Sequence, residues 1–148
     1  MTEERVTTYI CDWLRSNRWE IICFDFPQSG TGRLLHPNGS AEKSKGAINP
    51  DIVAVRSGVC LFFENKDRFH FPDYKKLNEL IVDNVYTGDI TRLLAGRVVN
   101  AFYYGIGLPT EKHKNGSKKA AHLVDFIVGV EATNDTAILY NPKKISFE

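Results

Sequence analysis

The chain has 148 residues, 43% of them hydrophobic and 25% charged, with a formal net charge of +1. That length suits one domain with a real core, and so small a net charge supplies no global field to draw nucleic acid or membrane, so any basic surface must be local. No apolar run approaches the ~20 residues that span a bilayer, the N-terminal MTEERVTT lacks a hydrophobic signal core, and three scattered cysteines (Cys11, Cys23, Cys60) without a CxxC pair fit a reducing, cytoplasmic setting.

Residues 2–16 place Val6, Tyr9, Ile10, Trp13 and Leu14 at helical spacing, with Glu3, Glu4, Arg5, Asp12 and Arg15 mostly elsewhere on the wheel, which predicts an amphipathic helix. Thr2 is placed to cap it, and acids in its first turn suit the helix dipole. WEIICFDFP (19–27) reads as a strand stopped by Pro27. The polar stretch 28–50, with Arg33, Lys43 and Lys45, reads as a ligand-contacting loop or as an irregular hairpin around Pro37-Asn38-Gly39. DIVAV and VCLFFEN follow as strands. Residues 73–96 are helical, in one piece or in two around Thr87-Gly88, with Gly96 as the stop.

RVVNAFYYGIGL (97–108) is a strand whose aromatics belong mostly to the core, 109–119 a lysine-rich loop, AAHLVDFIVGVEA a short helix or a strand, and TAILYN an edge strand. The expected fold is α/β: a single domain over 1–148, with an αβββαβ core over about 2–108, a C-terminal extension over 109–148, and a central mixed sheet flanked by helices. The sheet should start as an antiparallel meander, and the helical crossover before 97–108 allows parallel pairing later.

Ser57-Gly58 between two apolar strands predicts a tight hairpin turn. Arg56 then faces Val59, and Asp51 lies opposite Glu64. Directly opposed like charges are destabilising. Side chains alternate along a strand, so Lys66 leaves the same face as Glu64. One hairpin thus gathers two carboxylates and an ammonium, and the acids repel unless a cation sits between them. Lys66 is one candidate, and a divalent metal such as Mg²⁺, which takes carboxylate oxygens and keeps several waters, is the other.

Pro50-Asp51, Glu64-Asn65-Lys66 and the order of elements over 2–108 resemble the PD-(D/E)XK nuclease superfamily, the restriction-endonuclease-like fold. The resemblance implies that Asp51 and Glu64 bind Mg²⁺, with Mn²⁺ as a substitute and the backbone carbonyl of Asn65 as a further ligand. Lys66 would position or activate the attacking water, or steady charge on the phosphate. Many members add an acid from the first helix; Glu4 is the first candidate and Glu3 the next. FPQSGTG, ahead of Pro-Asp, is also similar to the Ser-Gly loop of archaeal Holliday-junction resolvases, with a longer interval before Asp51.

The remaining chemistry-bearing residues are less directive. His36, His70, His113 and His122 show no ligand spacing, and with three scattered cysteines a zinc site is not expected. Lys75 and Lys76 open the helix after the motif, while Lys112, Lys114, Lys118 and Lys119 cluster further on; these, with Arg33, Lys43 and Lys45, are the candidates for DNA contact. The expected function is metal-dependent endonucleolytic hydrolysis of DNA phosphodiester bonds, by a restriction-type enzyme or subunit. A junction-resolving or repair nuclease is one alternative, and a non-catalytic nucleic-acid-binding module that keeps the fold is another. One site cuts one strand, so double-strand cleavage implies a homodimer or a partner subunit.

Overall fold

The computed structural model describes residues 1–24, 50–83 and 94–148. Helix α1 (Glu3–Ser16) leads into strand β1 (Glu20–Phe24); β2 (Ile52–Arg56), β3 (Val59–Asn65), helix α2 (Phe71–Asp83) and β4 (Ala101–Pro109) follow. A 3₁₀ turn (Thr110–Lys112), helix α3 (Asn115–Ala120), a second 3₁₀ turn (Ala121–Leu123), β5 (Phe126–Val130) and β6 (Thr136–Tyr140) complete the order. The six strands form one sheet in sequence order. β1, β2 and β3 pair antiparallel, β3 pairs parallel with β4 and β4 with β5, and β6 closes antiparallel at the edge. The α/β class with a mixed sheet is as expected, and 109–148 extends the same sheet.

Each face of the sheet carries its own core. On one face Val6, Ile10, Cys11 and Leu14 of α1 meet Ile52, Ala54, Leu61, Phe63, Phe126 and Val128, joined by Ile145 and Phe147 near the C-terminus. On the other, Tyr74, Leu77 and Leu80 of α2 cover Val53, Val55, Cys60, Phe62, Tyr104 and Ile106. The period-two alternation along β3 therefore divides its side chains: Cys60 and Phe62 face α2, while Leu61 and Phe63 face α1. The C-terminal segment is tied down from the hairpin. Arg56 donates to the carbonyls of Asn17, Ser146 and Phe147 and lies 4.8 Å over the Trp19 ring.

Several local expectations meet their physical causes here. Thr2 caps α1, its hydroxyl accepting from the Arg5 N–H at 3.1 Å. Ser57 and Gly58 both adopt positive φ, +49° and +82°, the pattern of a two-residue primed turn whose twist matches that of the strands. Three boundaries differ. α2 begins at Phe71 rather than Asp73, and the helix expected over 84–93 falls on residues outside the described ones. β4 begins at Ala101, because Asn100 and Ala101 both donate to the Gly58 carbonyl and the ladder starts only after that turn. The lysine-rich 109–119 is partly helical instead of a plain loop.

Candidate metal centre and active site

The site forms where β2 begins and β3 ends. The ladder runs from Arg56↔Val59 to Ile52↔Phe63, the register expected from the turn. At the next step Asp51 leaves it: its N–H donates to the Phe63 carbonyl at 2.9 Å, and its carboxylate accepts from the Asn65 N–H at 2.6 Å. A side chain thus takes the place of a strand as acceptor for Asn65. On the other side the ladder to β4 continues one residue further, with the Lys66 N–H donating to Gly107 at 2.9 Å.

Asn65 fixes this corner on the opposite face. Its Nδ2 donates to the buried Thr7 hydroxyl of α1 at 3.0 Å. Gly107 of β4 is what lets it do so: a methyl there would collide with Asn65 Oδ1 and Ile10 Cδ1. One residue therefore binds β3 to α1 by its side chain and to Asp51 by its backbone.

Glu64 points the other way, toward α2, where Lys76 Nζ lies 3.7 Å from its Oε2. Beside this pair, Pro50, Phe62, Leu77, Leu80 and Tyr104 line a narrow, mainly apolar cleft. Burial and the neighbouring Glu64 carboxylate push the Asp51 carboxyl up to about 8, against the bond from Asn65 N–H and the weaker pull of Lys66. Glu64 is also raised, by burial first, with Asp73 adding and Lys76 opposing. For Lys66, burial alone would lower the pKa, but the fields of Asp73, Glu3, Glu64 and Asp51 together raise it. Lys66 does not sit between the two hairpin acids. Its ion-pair partners are Glu3 at 3.7 Å and Asp73 at 4.0 Å.

The acid that α1 brings to the site is Glu3. Glu4, the first choice from the sequence, is exposed, whereas Glu3 is half-buried and pairs with Lys66. The helical period explains the correction: Glu3, Val6 and Ile10 follow the i, i+3, i+7 spacing of the buried face. His70, which follows the motif closely and so offers itself for substrate or water but reads more simply as structural or solvent-facing, has its Nδ1 2.9 Å from Oδ2 of Asp73, an acid buried in the first turn of α2 that the spacing argument does not reach. The only signal available was an acid at a helix start.

The basic candidates fall into three groups. Arg33, Lys43 and Lys45 lie outside the described residues. Lys76 is engaged with Glu64, while Lys75 is exposed one residue earlier on α2. Lys112, Lys114, Lys118 and Lys119 are all exposed, on the segment that leaves β4 at the Lys66 end of the sheet. That segment is anchored. Gly116 packs so close to the Phe69 ring that an added Cβ would lie 3.0 Å from it, and Ser117 is bonded to Tyr74 (2.6 Å) and His113 (2.8 Å).

The donor set suits a hard, oxygen-seeking cation. Among the described residues no three His, Cys, Asp or Glu side chains gather as a metal cage. A pair of carboxylates does suffice for Mg²⁺, which keeps several waters and is usually held by one or two carboxylates plus substrate phosphate. Two acids whose proton affinity is raised first by burial, and for Asp51 also by the neighbouring Glu64, meet that description. Among the described residues, no helix is long and apolar enough to cross a membrane. Compared with models of protein families and with the curated proteins, the chain matches none.

Proposed function

We propose that the protein is a Mg²⁺-dependent endodeoxyribonuclease, with its centre at Asp51, Glu64 and Lys66. The reading rests above all on one observation: two carboxylates converge on one hairpin, and Asp51 is pushed up to about 8 by burial and by Glu64. A cation bound at the two acids would offset that burial and repulsion, as a proton on Asp51 otherwise does. In the proposed role Asp51 and Glu64 hold Mg²⁺, with the Asn65 carbonyl as a further ligand. The bound metal supplies a water of lowered pKa and a clamp for a phosphate oxygen.

The chain's own groups do the rest. Lys66 places a fixed positive charge beside the reacting phosphate, where partial exclusion of water strengthens it. The exposed lysines at 112, 114, 118 and 119, with Lys75, track the DNA backbone without reading bases. The rival reading, a binding module without catalysis, requires Lys66 merely to bridge Asp51 and Glu64. Pairing of Lys66 with Glu3 and Asp73 instead favours the catalytic reading.

The experiment is cleavage of supercoiled plasmid and of branched DNA with and without Mg²⁺, comparing wild type with Glu64→Ala and Lys66→Ala. Metal-dependent cutting that both variants lose is the expected outcome. The products distinguish a restriction-type activity, the first choice, from junction resolution or repair. Cutting that survives both substitutions, or no cutting of any substrate, sinks the reading.

A further inference from the structure

We propose that Asp73 is the positioning residue for the Lys66 ammonium, an inference that rests on the nuclease reading of the site. A lysine side chain has four rotatable bonds and much rotamer entropy, so by itself it does not hold an ammonium in one place. Lys66 is held from two sides: Glu3 of α1 lies 3.7 Å from Nζ and Asp73 of α2 lies 4.0 Å from it. These are ion-pair separations longer than hydrogen bonds, so the ammonium keeps donors for a water or a phosphate oxygen.

The two clamps differ in stiffness. The Glu3 side chain is 38% exposed and sits in the first turn of its helix, whereas that of Asp73 is 9% exposed. The main chain of Asp73 is fixed by its N–H donating to the His70 carbonyl at 3.1 Å, and its carboxylate by the His70 ring at 2.9 Å. Asp73 is thus a rigid anion, and it draws Lys66 away from a direct bridge to Asp51 and Glu64. Those two carboxylates are left for the metal. Misplacing a catalytic group by 1 Å can cost about 100-fold in rate, so a distant-looking anchor carries a kinetic consequence.

The test is steady-state cleavage with Mg²⁺ by wild type, Asp73→Asn and Glu79→Gln, together with the Mg²⁺-induced rise in Tm of each. Asparagine keeps the shape of Asp73 and an acceptor for His70; Glu79, exposed on the same helix, controls for loss of one negative charge. Asp73→Asn should lower kcat by about ten-fold or more while KM for DNA and the Mg²⁺ shift stay within about two-fold of wild type. Glu79→Gln should change none of them. Wild-type kcat in Asp73→Asn overturns the inference and leaves the nuclease reading standing. So does a parallel loss of kcat, DNA affinity and metal shift, which marks Asp73 as support for the fold. A wild type that never cuts removes the nuclease reading and this inference with it.

Discussion

Asp51 holds a proton in the folded state at pH values where the unfolded chain has released it. Its carboxyl is raised to about 8 by burial and Glu64, so the folded form binds the extra proton from the ordinary carboxylate range upward. Stability without metal must therefore fall as pH rises through that window, its contribution being intact below the ordinary carboxylate pKa and lost above about 8. Asp51→Asn removes the penalty and keeps an acceptor for the Asn65 N–H. It should raise Tm by ~3–6 °C at pH 8, and by less at pH 5. Mg²⁺ should stabilise wild type and leave Asp51→Asn unmoved, a comparison that thermal melts at the two pH values can make. Lys76 gives a second residue-level outcome. It offsets the Glu64 charge from 3.7 Å, in the manner of a resident cation. Lys76→Met should tighten Mg²⁺ binding several-fold by calorimetry, because metal no longer competes with an ammonium for Glu64. Unchanged affinity would mean that the contact is only a solvated pair.

At the scale of the elements, Gly107 is the point where α1, β3 and β4 close on one another. A methyl at that position has Asn65 Oδ1 and Ile10 Cδ1 in its way, so Gly107→Ala should cost about 1–3 kcal/mol in urea unfolding. It should also weaken Mg²⁺ binding, since Asn65 holds Asp51 in place. The same corner shows what the sequence makes legible. The hairpin register was readable because Ser57-Gly58 permits one tight turn and the apolar alternation on both sides agrees with it. Convergence of Asp51 and Glu64 followed from that register alone. The place of Glu3 is legible too, from its spacing to the buried Val6 and Ile10, a spacing that Glu4 does not share. Asp73 was not readable: its role depends on how α2 lies across the sheet, and sequence spacing says nothing about the distance between a helix and a strand end. The start of β4 was likewise set by a long-range contact, the Gly58 carbonyl engaging Asn100 and Ala101.

On the scale of the whole molecule, a net charge of +1 conceals an uneven distribution. Four exposed lysines leave the sheet at the end where Lys66 lies, anchored through Phe69, Tyr74 and Ser117. On the proposed nuclease reading, affinity for DNA should therefore depend on salt more steeply than the net charge suggests. Replacing Lys118 and Lys119 with alanine should lower the log–log salt slope by about 1 for each lysine that neutralises a phosphate, uniformly across DNA sequences. A fluorescence-anisotropy titration over a range of salt concentrations reads this directly, and an unchanged slope would assign those lysines to solvent.

Asn65 lies between the proposed site side chains Glu64 and Lys66, and its amide hydrogen is bonded to the carboxylate of the proposed metal ligand Asp51. The peptide group of a core strand is in this way wired to the chemistry. That amide should exchange with deuterium only when the domain opens as a whole, and its exchange should slow further when Mg²⁺ occupies the acids. A single resonance, followed over hours in heavy water, would then report occupancy of the site and global stability on one clock.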